Sequence, residues 1–143
     1  MAALAVGDRS QALVALDLSA AQPPDIVTAM AGFLAKACRG DASGFTSQVE
    51  EGSWNDLSYT EMVAEGFALL GNAEQAAKWL GRAVDLLFGC HDGLVKHNAV
   101  WRSWLTHPLL EPVFERLRVQ ADRYQAMPLS PRLAALVESA KLP

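Results

Sequence analysis

The chain has 143 residues, 51% of them apolar, and carries a formal net charge of −4 with a pI near 5.3. That length holds one ordinary domain with a sizeable core, while the acidic balance and the scattered basic residues (Arg39, Lys78, Arg82, Arg102, Arg116, Arg118 and Arg123) argue against an electrostatic nucleic-acid binder. No uninterrupted apolar run reaches the roughly 18 residues of a membrane span, and two cysteines, Cys38 and Cys90, are too few for a disulfide framework, so both are expected as free thiols in a reducing cytoplasm.

Met1 to Val6 is apolar without a basic leader, so it does not read as a signal peptide. A first helix is predicted over Asp8 to Leu18, with Ala12, Leu13, Ala15 and Leu16 at helical spacing and Asp8 or Ser10 as its cap. Pro23-Pro24 suits the first turn of the next helix, predicted from Pro24 to Arg39 with Ile26, Val27, Met30, Phe33, Leu34 and Ala37 inward. Gly40 fits the left-handed position that ends a helix. Asp41 or Ser43 then opens another helix carrying Phe45 and Val49.

After the polar corner 50–56, Ser58-x-x-Glu61 has the form of a capping box, with Asp56 an equally good cap. The helix from this corner to Leu70 buries Tyr59 or Met62, Val63, Phe67 and Leu70. Gly71-Asn72 turns the chain, and Ala73 to Phe88 forms the partner helix with Ala76, Trp79, Leu80, Ala83, Val84 and Leu87 on one side. Beyond a loop at 89–93, Leu94, Val95, Trp101, Trp104 and Leu105 predict a helix with an aromatic face. His107-Pro108 and Pro112 break it, after which Leu110, Val113, Phe114, Leu117, Ala121 and Tyr124 recur at helical spacing. A last short helix is predicted over Pro131 to Ala140.

Gly7-Asp8, Gly40-Asp41 and Gly71-Asn72 lie 33 and 31 residues apart, each between two apolar runs. A helical corner repeated at that interval is the mark of a stacked helical repeat. Ala64, Phe67, Gly71, Ala76, Leu80 and Ala83 fall in the order and spacing of the tetratricopeptide pattern, and Gly7, Ala12, Leu16, Ser19 and Pro24 supply its second half. The chain therefore resembles a tetratricopeptide repeat protein. The resemblance implies an all-α, right-handed solenoid of helical hairpins forming a single domain over 1–143. Repeats would occupy 8–88, the first truncated, and an atypical repeat and cap 89–143. The middle repeat departs from the pattern, because Phe33 and Phe45 occupy positions where it has small residues. The stretch Trp101-x-x-Trp104-Leu105-Thr106-His107-Pro108-Leu109-Leu110-x-Pro112-x-Phe114 is similar to the closing helices of helical-repeat regions in bacterial signalling proteins, which often end adenylate cyclases, kinases or transcription regulators. A truncated first repeat makes the chain, on this reading, the C-terminal piece of a larger protein.

Helix A of such repeats lines a concave groove where ligands lie. The resemblance implies that Ser58, Glu61, Glu65, Ala68 and Leu69 face it, joined by Met30, Leu34 and Ala37 from the middle repeat. The expected function is a non-catalytic protein-interaction scaffold whose mildly acidic groove takes a peptide or partner protein with basic or apolar residues. Its alternative is a regulatory or oligomerising domain of a larger signalling enzyme or transcription regulator. Repeats that clamp a carboxylate use lysine and asparagine where this chain has Glu61 and Glu65, so that use is disfavoured. Trp101 and Trp104, at i and i+3, share one helix face, which either plugs the end of the stack or anchors a contact with a second copy or another domain. Cys90, His91, His97 and His107 match no common zinc spacing. No nucleophile elbow or phosphate loop is present. The expected set is therefore no catalysis, no cofactor, no metal, no nucleic acid and no membrane.

Overall fold

A computed structural model describes residues 8–86 and 97–128. Among them all regular structure is helical, with no strand. The predicted last helix over Pro131 to Ala140, the corner glycine Gly7, and Leu87, Cys90 and His91 lie outside the described residues.

Helix α1 spans Arg9–Ala20, and Asp8 rather than Ser10 caps it by accepting from the Gln11 N–H at 2.9 Å. It buries only Ala12 and Leu16, against α2 (Ile26–Cys38), and Ala15 is exposed. Helix α2 starts two residues later than the proline pair suggested. Asp25 and Thr28 form a reciprocal capping box, each side chain accepting from the other's backbone N–H at 2.8 Å, and this fixes the start beyond Pro23-Pro24. Val27 lies on the outer side of α2, not the inner side. Arg39 pairs with Asp17 across the two helices, and Arg9 donates to the Cys38 carbonyl.

Helices α2 and α4 (Leu57–Leu69) end in the same way. Gly40 (φ +79°) donates to Ala37 O while Asp41 donates to Lys36 O; Gly71 (φ +76°) donates to Ala68 O while Asn72 donates to Phe67 O. This paired bonding satisfies the last free carbonyls of a helix and requires a left-handed residue, for which glycine carries no steric cost. The two corners lead into different structure. Asn72 caps α5 (Ala73–Asp85) directly, through the Gln75 N–H. Asp41 opens only a 3-10 turn, Ala42–Gly44, and the next helix, α3 (Ser47–Ser53), is capped by Thr46. The expected helix from Asp41 does not form, because the chain is pressed against α2 at Gly44: a Cβ there would lie 2.7 Å from the Phe33 Cα. Phe45 then leaves in an extended conformation, which drives its ring inward.

That ring completes the core of the described chain. Phe45 stands 5.5 Å from Phe33, 4.8 Å from Phe67 and 5.8 Å from Trp79, and Trp79 meets Trp54 edge-on at 5.5 Å. Helices α4 and α5 pack together, with Ala64 and Phe67 buried on one and Ala76, Leu80 and Ala83 on the other, as the spacing predicts. Arg82 clasps the corner before α4, donating to Trp54 O and Asn55 Oδ1 with its guanidinium 5.0 Å from the Trp54 ring.

Asp56, not Ser58, caps α4, accepting from the Tyr59 N–H at 3.1 Å; Ser58 sits inside the first turn and is exposed. Asp56→Ala is expected to lower stability by ~1 kcal/mol, and Ser58→Ala to have a much smaller effect, as read by urea denaturation.

Leu94 and Val95, where the next predicted helix begins, lie outside the described residues; its later part, 99–106, is a run of turns, with Trp104 donating to Trp101 O and His107 to Trp104 O. Helix α6 (Glu111–Ala126) begins with Pro112 in its first turn and packs Val113, Phe114 and Leu117 toward α5, joined by an Arg116–Asp85 ion pair and by Gln120 donating to Val84 O. Its apolar face does not continue to Tyr124, which is exposed.

Candidate functional site

The predicted groove residues divide sharply by burial. Met30 and Leu34 on α2 are fully enclosed, and so is Ala37 beside them; on α4, Glu65 and Ala68 are buried. These side chains pack within the chain, so in this conformation they offer no surface to a partner, and the expectation that they line an open groove is corrected. The accessible remainder of the α4 face is Ser58, exposed, with Glu61 and Leu69 half-buried. Trp101 is likewise enclosed, edge-on to Phe114 at 5.9 Å, and cannot anchor an external contact. Trp104 is half-buried against the His107 ring.

Glu65 gives this face its chemistry. A carboxylate normally avoids the interior unless it is paired, yet Glu65 is only 2% exposed and no described lysine or arginine reaches it. Its Oε1 accepts from Asn98 Nδ2 at 2.5 Å, while Oε2 is buried without a hydrogen-bond partner. Asn98 is itself held, its Oδ1 accepting from the Val100 N–H at 3.0 Å. Glu61 stands one helical turn before Glu65, so the two share a face.

Burial raises both acids. The Glu61 carboxyl is pushed up to about 7 by loss of solvent alone. The Glu65 carboxyl is pushed up to about 8, first by burial and then by the Glu61 charge. The Asn98 amide acts in the opposite direction. The face is therefore less negative near neutral pH than a formal count of carboxylates implies, and the predicted repulsion of a carboxylate ligand loses most of the Glu65 share.

Asn98 is the residue that sequence reasoning did not single out. It lies 33 residues from Glu65 and carries no local motif beyond its own turn. Of the two described histidines, His97 is exposed beside Asn98 in the chain and His107 lies against Trp104. Among the described residues no group of three His, Cys, Asp or Glu side chains could hold a metal ion, and no helix is long and apolar enough to cross a membrane. Cys38 is buried as a free thiol, and loss of solvent raises its pKa. An open cleft of about 640 Å³ runs between Leu105 and the first turns of α6, where Arg118 is tied to Glu115 and Asp122. Set beside known proteins, the chain matches no family model, no curated protein and no solved structure.

Proposed function

We propose that the chain is a non-catalytic interaction module of the tetratricopeptide type, a stack of helical hairpins that presents its α4 face to a protein or peptide partner. The observation that supports this reading is the order of packing. Helix α1 lies on α2, α2 on α4, α4 on α5 and α5 on α6, with the short α3 packed on both α2 and α4, so helices near in the chain lie near in space, as hairpin arrays require. In this arrangement α2 and α4 are successive A helices lying side by side. The contact surface is narrower than a full groove: Ser58, Glu61 and Leu69 are its accessible part on α4. A partially protonated Glu61 at its centre suits a partner with apolar or hydrogen-bonding groups as well as a basic one.

A second reading has its own support. Val14 and Leu18, one turn apart on α1, are 63% and 65% exposed. Such an apolar outer face on the first described helix suits a contact with another copy or with a further part of the same protein, the arrangement expected of a regulatory or oligomerising domain.

One experiment separates the two readings. A photo-crosslinking amino acid is placed singly at positions 58, 61, 14 and 18, and at the exposed Glu74 as a control, in the cells that make the protein. Adducts to a different protein from 58 and 61, absent from 74, are expected. Adducts from 14 and 18 to the chain's own protein, with none from 58 or 61, favour the second reading, and equal yields at every position overturn both.

A further inference from the structure

We propose that Glu65 is a proton-dependent latch, holding the turn segment 98–110 on α4 while its carboxyl is neutral and releasing it on ionisation.

The geometry carries this in three steps. First, the contact is between two elements distant in sequence: Glu65 projects from α4, and its Oε1 takes the Asn98 amide that opens the turn segment. The segment's other hydrogen bonds are short-range, Trp101 N–H to Asn98 O, Trp104 N–H to Trp101 O and Leu110 N–H to His107 O, and its remaining hold on the core is the packing of Val100, Trp101 and Leu110. Second, the carboxyl is enclosed and only half satisfied. One amide donor serves Oε1 and nothing serves Oε2. A neutral carboxylic acid tolerates that arrangement, whereas an ionised one needs several donors or a cation in a site this dry.

Third, no charge among the described residues comes to its aid. On α4 itself the neighbouring titratable group is Glu61, which adds repulsion. From α2 the buried face is apolar, Met30, Phe33 and Leu34. From α5 it is Ala76, Trp79, Leu80 and Ala83, and from α3 Val49 and Ser53. From the turn segment it is the uncharged Asn98. Ionisation must therefore be met by water, and lifting the segment that Asn98 opens is the route by which the latch would admit it. Asn98 and Trp101 sit in that segment, so its release opens the buried Trp101–Phe114 contact as well.

The raised acid sets the direction with pH. A carboxyl whose folded pKa moves from 4.5 to about 8 favours the closed state fully below about 4.5, progressively less as pH rises through about 8, and no further above.

Hydrogen exchange of the full chain, corrected for base catalysis, tests the latch at about pH 5.5 and about pH 9. The amides of 101–110 are expected to lose at least tenfold protection at the higher pH while those of α2 keep theirs. Glu65→Gln, which keeps the Asn98 contact without a charge, is expected to be equally protected at both. Glu61→Gln should retain most of the pH effect. Unchanged protection in the wild-type chain, or the same pH dependence in Glu65→Gln, overturns the latch. A carbon-13 titration of the wild-type glutamate carboxyls gives a readout independent of any variant: a Glu65 midpoint near 4.5 overturns it too.

Discussion

Gly66→Ala is expected to destabilise the protein by about 1–2 kcal/mol, although the same change in an ordinary helix interior stabilises by about 1 kcal/mol. Gly66 lies inside α4, and a Cβ on it would overlap Phe33 Cε1 and stand 2.5 Å from Cζ. Contacts that short force a displacement. Phe33 cannot yield cheaply, because it is fully buried with the Phe45 ring 5.5 Å away and the Phe67 ring 5.6 Å away. The penalty is therefore overpacking of a ring held on both sides, and it exceeds the gain in helix propensity. Gly66→Leu, with more atoms to place, is expected to abolish cooperative unfolding. A double-mutant cycle isolates the cause: in a Phe33→Leu background, Gly66→Ala should become neutral or stabilising, giving a coupling of about 1–3 kcal/mol. Urea denaturation of the four proteins checks this. Stabilisation by Gly66→Ala in the wild-type background would show that the ring moves freely, and the packing argument would fail.

The same pair of residues shows what could and could not be read from the sequence. On the tetratricopeptide resemblance Phe33 falls where a small residue is expected, which reads as an irregularity. In the structure the room for its ring is made on the neighbouring helix, at Gly66, 33 positions on. Complementarity of that kind is a property of two elements together, and no local pattern reports it.

Local rules were dependable where a short stretch of backbone decides the outcome. The corners at Gly40 and Gly71 and the buried stripe Ala76, Trp79, Leu80, Ala83 and Val84 are of this kind. They failed where a tertiary contact overrides the pattern, as when the crowding of Gly44 on Phe33 turns an expected helix start into a 3-10 turn. Periodicity failed for a different reason at Trp101 and Trp104. A spacing of three suits a helix face, but it equally suits successive three-residue turns, which the bonds from Trp104 to Trp101 and from His107 to Trp104 form. The Glu61–Glu65 face was legible as a pair at i and i+4, but its protonation was not, because that depends on enclosure and on Asn98.

Trp79→Ala is expected to cost about 3–5 kcal/mol, a large part of the roughly 5–15 kcal/mol that holds a typical domain folded. Trp79 is fully buried on α5 and touches both Phe45, from the irregular segment after α2, and Trp54, from the corner before α4. Removing it takes away the one ring that, among the described residues, both of those poorly regular stretches share, and neither has a long helix of its own to fall back on. Trp54 is 41% exposed and its second support is Arg82, so the corner would lose its inner wall and keep only a solvent-exposed clasp. Trp79→Phe separates ring packing from hydrogen bonding. The indole Nε1 has no partner, so phenylalanine forfeits volume but no bond and is expected to cost less than half as much as alanine. If the two substitutions cost the same, the indole N–H holds a bond that matters, and the hub is polar. If phenylalanine is mild and alanine severe, then the aromatic cluster is what joins α2, α4 and α5 into one body, and the α4 face keeps its shape through that cluster rather than through regular repeat geometry.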